Sequence, residues 1–131
     1  MNETDLIEAG MFKDEYNQLL GINLPAGMIY QSKGLSTHMK KRKHFKCLKY
    51  LDRINEILDN PDFIGVNPNE ENSIELIKKF DDNVLIGIKL DTDKNYLYIS
   101  TMHDVQESKI DRRLHSGRLK LLNKGLDTKV L

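Results

Sequence analysis

Three adjacent stretches, "SIELIKKF" from Ser73, "NVLIGIKLD" from Asn83 and "NYLYISTMH" from Asn95, are rich in β-branched and aromatic residues. Only the short turn sequences "DD" and "TDK" separate them. Runs of period two joined by tight polar turns specify an antiparallel meander, with the middle run as its central strand. Alternation gathers Ile74, Leu76 and Phe80 on one face with Val84, Ile86, Ile88 and Leu90, then Leu97 and Ile99. That apolar face needs a covering layer. The opposite parity collects Glu75, Lys79, Gly87, Lys89, Tyr96, Tyr98 and Ser100, a polar and aromatic face suited either to a substrate cleft or to solvent.

The covering layer is legible upstream. Phe12, Tyr16, Leu19 and Leu20 fall at i, i+4, i+7 and i+8, one stripe of a helix ending at Gly21. "LPAGMIYQS" then reads as a turn entering a short strand. A second helical region starts near Leu35 or Ser36 and sets Leu48, Leu51, Ile54 and Leu58 on one face until the proline of "DNPD" stops it. The pattern fits one long helix or two joined near Lys43. "GVNPNEEN" reads as a polar loop. After the meander, "ESKIDRRLHSGRLKLL" predicts a helical turn through Leu114 and a short strand or irregular segment past Gly117. The predicted fold is α+β, with N-terminal helices packed on an antiparallel meander sheet of three to four strands.

At 131 residues and 39% hydrophobic, the chain suits a single domain spanning 1–131. No run of about 18 uncharged apolar residues is present, and "MNETDLIEAG" lacks the features of a secretory signal, so the expected compartment is the cytoplasm and no membrane is expected as a partner. The lone Cys47 cannot form an internal disulfide and reads as a packing residue. One cysteine and four scattered histidines show no zinc-ligand spacing.

Twenty basic side chains balance twenty acidic ones, but the signs are segregated. No Asp or Glu occurs from Tyr16 to Leu51, where "GLSTHMKKRKHFK" alone carries five cations and two histidines. Arg112 to Leu126 repeats the pattern with Arg112, Arg113, Arg118, Lys120 and Lys124. Acids concentrate from Asp52 to Asp82 and at the N-terminus. Segregated basic patches fit a phosphate-rich partner; the alternative is a solvated lysine face.

The order "IYQSKGLSTHMKKRKH", "LDNPDFIGVNP", "SIELIKKFDDNVLIGIKL" and "YLYISTMHDVQESKIDRRLHSGRLK" resembles the phage-associated branch of the barnase, EndoU, colicin and RelE-like (BECR) nuclease superfamily. The similarity runs from about Ile29 to Lys120, and its most specific parts are the His-x-x-Lys-Arg segment and "RRLHSGRL". It implies a nuclease-like core at 28–122 behind an N-terminal helical extension at 1–27. It also implies metal-independent cleavage of RNA, no cofactor, a phage, mobile-element or toxin setting, and an antitoxin or immunity protein as a partner. Similar sequences place the second histidine directly after the arginine, whereas Lys43 intervenes here, so the resemblance assigns His44 no role.

Metal-free RNA cleavage needs a base for the 2'-hydroxyl, an acid for the leaving 5'-oxygen, and cationic donors on the phosphate. Histidine suits the first two and arginine the third. His38, Lys41 and Arg42 lie at i, i+3 and i+4, hence on one helical face. His44 would fall about 120 degrees from His38 on a regular helix and point elsewhere. By resemblance the catalytic group is His38, Arg42, Ser116 and Arg118, with Lys41 and Arg112 on phosphate. Tyr98 and Ser100 of the polar face are substrate-binding candidates. His103, Glu75 and His44 are candidates for the second acid/base group, although Glu75 would also pair with Lys89 in the sheet. Two other classes stay open: a non-catalytic nucleic-acid-binding module, and a phage-associated interaction domain.

Overall fold

A computed structural model describes residues 6–122. Lys124 of the second basic segment, and the acidic residues before Leu6, lie outside the described residues. The elements follow in the order β1 (Leu6–Phe12), α1 (Asp14–Leu20), β2 (Gly27–Ser32), α2 (Leu35–Lys41), a 3-10 helix (Phe45–Arg53), α3 (Ile54–Asp59), β3 (Phe63–Val66), β4 (Ser73–Lys79), β5 (Asn83–Asp91), β6 (Tyr96–Asp104), α4 (Glu107–Ser116) and β7 (Leu119–Leu121).

The fold is α+β, as the periodicity indicates, but the sheet is larger than a meander. Seven strands run in the order β1-β2-β6-β5-β4-β3-β7. The predicted meander forms its centre, with β5 antiparallel to both neighbours. The pairing of β2 with β6 is parallel, through Ile29–Leu97 and Tyr30–Tyr98, so the sheet is mixed rather than antiparallel. The expected helical extension at 1–27 is also corrected. Residues 6–12 form an edge strand paired with β2, and among the described residues of that segment only Asp14–Leu20 is helical. In "LIEAGMF" a glycine, an alanine and a bulge between Glu8 and Gly10 break the alternation that would have marked a strand. Gly65 and Val66, expected in the polar loop "GVNPNEEN", instead belong with Phe63 and Ile64 to a four-residue strand between β4 and β7.

Both faces of the sheet are covered, unequally. On one, Ile74, Leu76, Ile86, Ile88, Leu97 and Met102 pack with Tyr16 of α1, Met39 of α2, Cys47 and Tyr50 of the 3-10 helix, and Ile57 and Leu58 of α3. Cys47 is fully buried there, and desolvation pushes its thiol pKa up to about 12, so it is a packing group. On the other face a smaller cluster joins Phe63, Ile77 and Leu85 to Val105, Ile110 and Leu119, with Leu114 against it. Helix α4 therefore caps one end of this second face, which explains why Val84 to Ile88 are buried on both sides. The remainder of that face stays open as a groove.

Candidate functional site

The ending of α2 sets the first wall of the groove. Lys43 N–H donates to the Lys40 carbonyl at 3.1 Å and His44 N–H to that of Met39 at 2.8 Å, the paired bonds of a Schellman ending. Such an ending needs a left-handed residue, usually glycine. Lys43 takes that conformation at φ 61, at a cost of about 1–2 kcal/mol for an ordinary side chain. The reversal brings His44 back onto the groove beside His38 and Arg42, correcting the regular-helix expectation that it points elsewhere. Lys43, which separates Arg42 from His44, thus occupies the turn that brings the second imidazole to the groove.

Strand β6 supplies the facing histidine through an irregularity of its own. Gly87 pairs with Thr101 and Ile88 with Ile99, leaving Ser100 as an extra residue. Strict alternation from Tyr98 would send His103 into the core; the bulge switches parity, so Tyr98, Thr101 and His103 all line the groove while Ile99 and Met102 remain buried in the core. The Ser100 hydroxyl donates to the Gly87 carbonyl at 3.2 Å.

The resulting groove is about 680 Å³. His38, Arg42 and His44 form one wall, His103, Thr101, Ser100 and Tyr98 lie along β6, and Gly87, Glu75, Lys89 and Ser73 form the floor and far side. His44 and His103 are adjacent, their ring centroids 5.1 Å apart. The Nδ1 of His103 lies 2.9 Å from the Asp104 carbonyl. A carbonyl only accepts, so Nδ1 carries the proton and Nε2 is left for a ligand. Desolvation first, then the charges of His103, His38 and Arg42, lower the pKa of His44 below its ordinary value against a smaller opposing effect of Asp104. His44 is thereby biased toward a neutral imidazole near neutral pH. Its Nδ1 is enclosed without a hydrogen-bond partner among the described residues.

Glu75, at 5% exposure, marks the inner end of the groove. Its partner is not Lys89, which lies opposite Ser73 and approaches Glu70 at 3.6 Å. Instead Arg118 donates to Oε1 from Nη2 at 2.7 Å and Nε at 3.0 Å, and Arg113 Nη1 donates to Oε2 at 3.3 Å. Glycines flank Glu75 on both neighbouring strands, Gly65 on β3 and Gly87 on β5. The Arg118 carbonyl sits where a Cβ on Gly65 would be. Gly65→Ala should therefore push β7 and Arg118 away and cost about 1–3 kcal/mol. A urea midpoint that stays put would show that β7 yields freely.

Arg118 thus meets the groove through Glu75, while its outer side joins Lys109, Arg112, Arg113 and Ser116 around a second cavity of about 300 Å³. Ser116 belongs to that cavity and not to the groove. Its hydroxyl donates to the Arg113 carbonyl at 3.1 Å and accepts from the Arg118 N–H at 3.4 Å, closing α4 before Gly117 turns the chain at φ 86. Arg112 lines the same cavity, and Lys41 is exposed on α2 and lines neither. Arg113, named in the second basic segment but given no role from the sequence, becomes recognisable once α4 is seen to end at Gly117, because the reversal folds Arg118 back beside it. Among the described residues no three side chains of His, Cys, Asp or Glu converge to hold a metal ion. None of the helices described is long and apolar enough to cross a membrane.

α1, α2, the 3-10 helix and α3 on one face of a mixed sheet, and a histidine- and arginine-lined groove beside α4 on the other, define a small α+β domain. A family model described as phage-Barnase-EndoU-ColicinE5/D-RelE like nuclease3 matches residues 7–112. The chain belongs to this phage-associated BECR nuclease family, and the substrate class that membership implies is nucleic acid. The matched segment contains His38, Arg42, His44, Glu75 and His103, and ends before Arg113, Ser116 and Arg118. No curated protein and no solved structure matches the chain.

Proposed function

We propose that the protein is a metal-independent endoribonuclease that cleaves by attack of the 2'-hydroxyl on the adjacent phosphorus. The observation that carries this reading is the His44–His103 pair in a groove that also holds Arg42 and His38. Neutral His44 takes the proton of the 2'-hydroxyl as its oxygen bonds to phosphorus. The bond from phosphorus to the 5'-oxygen breaks, and the protonated form of His103 gives its Nε2 proton to that oxygen, leaving a cyclic phosphate. Arg42 and His38 face the phosphate oxygens and offset the charge that builds on them. Arg118, held by Glu75, adds positive charge at the inner end. Tyr98 offers a base-stacking surface beside the bulge. A phage, mobile-element or toxin role, with an antitoxin or immunity protein as restraint, accords with the family's setting.

The test is incubation of a labelled RNA and its all-deoxy counterpart in EDTA with wild type, His38→Ala and Arg42→Ala. The RNA should be cut and the DNA left intact, with Arg42→Ala slower by about a hundred- to a thousand-fold. A requirement for magnesium, or DNA cut at a comparable rate, rejects the mechanism. RNA affinity without cleavage, unaffected by His38→Ala, would make this a binding module.

A further inference from the structure

We propose that the cavity between α4 and Arg118 is a second phosphate subsite, which takes the backbone phosphate next to the one held in the groove and makes the ligand a strand of at least two consecutive phosphodiesters. It rests on the reading of the groove as the scissile site. The cavity wall consists of Lys109, Arg112, Arg113, Arg118 and the Ser116 hydroxyl, with no carboxylate in it. No ion pair engages Lys109 or Arg112 among the described residues.

Glu75 gives the arrangement its spacing. Arg113 and Arg118 contribute to the cavity and also reach across to this one carboxylate, which lines the groove. Arg113 spends only Nη1 on Glu75, and Arg118 spends Nε and Nη2. Since a guanidinium has five N–H donors, both arginines keep donors for a ligand on the cavity side. The Glu75 carboxylate between the two pockets has only acceptor oxygens, both engaged by the guanidiniums, so it offers a phosphate no donor and one phosphate belongs on each side of it. A dinucleotide, with one phosphodiester, fills only the groove; a longer strand fills both. Free inorganic phosphate could satisfy the same donors, but would gain nothing from strand length.

The discriminating experiment measures binding of uncleavable 2'-O-methyl oligoribonucleotides, a dinucleotide and a tetranucleotide, to wild type and to a Lys109→Gln/Arg112→Gln double variant. In wild type the tetranucleotide should bind at least about tenfold tighter, with a salt slope steeper by roughly 0.7 for each added phosphate contact. In the double variant that ratio should fall to less than about threefold while the thermal midpoint holds within a few degrees. Equal ratios in the two proteins, or no gain with length in wild type, overturn the proposal. So does stabilisation by inorganic phosphate, abolished in the double variant, without any length effect. Because these strands lack the attacking hydroxyl, the ratio is read whether or not the protein cuts RNA. Failed cleavage with an intact ratio refutes only the catalytic reading, and cleavage with a flat ratio refutes only the subsite.

Discussion

His44→Ala should slow RNA cleavage by about a hundred- to ten-thousand-fold, the range by which a positioned acid or base accelerates proton transfer. Affinity for an uncleavable strand should change far less. The same assignment fixes the acid limb of the pH profile. A base works unprotonated, so the rate should rise with pH through the His44 pKa, and that limb should lie below the ordinary histidine range because desolvation, His103, His38 and Arg42 all lower it. Arg42→Ala removes one of the depressing charges, and the limb should move to higher pH in the residual activity. Histidine ring resonances followed by NMR give the same titration without turnover. An acid limb unmoved by Arg42→Ala, with His44 titrating as an ordinary exposed imidazole, would remove it as the base.

Glu75→Ala should produce the largest loss of stability among single changes at the site. Three hydrogen bonds from two guanidiniums converge on this carboxylate. Deleting it leaves Arg113 and Arg118, themselves only 20% and 24% exposed, with an unpaired charge each. Removing one partner of a buried pair costs about 3–5 kcal/mol, and the partial exposure of the arginines brings the expectation to about 2–4 kcal/mol. For a domain of this size that is roughly 10 °C in Tm. Glu75→Gln keeps the shape and should lose less. If Glu75 instead served as the base, Glu75→Gln would abolish cleavage with little effect on Tm, and the assignment of His44 would fall with it.

Much of this arrangement is legible in the residue order, and the misses have physical causes. β6 alternates because one of its faces is core, while β4 and β5, buried on both sides over Ser73–Ile77 and Val84–Ile88, stand out as apolar runs between tight turns. The α1 stripe stops at Gly21, which takes the left-handed position there at φ 68. β3 is only four residues long and contains the glycine that lets β7 approach, while β1 is bulged, so neither shows a clean period. At the groove, Arg42 and His38 follow from helical spacing. His44 and His103 do not, since each reaches the groove through a departure from regular geometry: a lysine in a left-handed turn, and an extra residue at Ser100. The pairing of Glu75 with two arginines across most of the chain's second half has no local signal at all.

The parallel ladder between β2 and β6 has a bearing on how the molecule assembles. Hairpins such as β4–β5 and β5–β6 close short loops, whereas joining Tyr30 to Tyr98 closes a far longer one, whose larger entropy cost favours its forming later. His44 follows the first strand of that pairing and His103 lies on the second, so the two imidazoles meet only when this long closure is made.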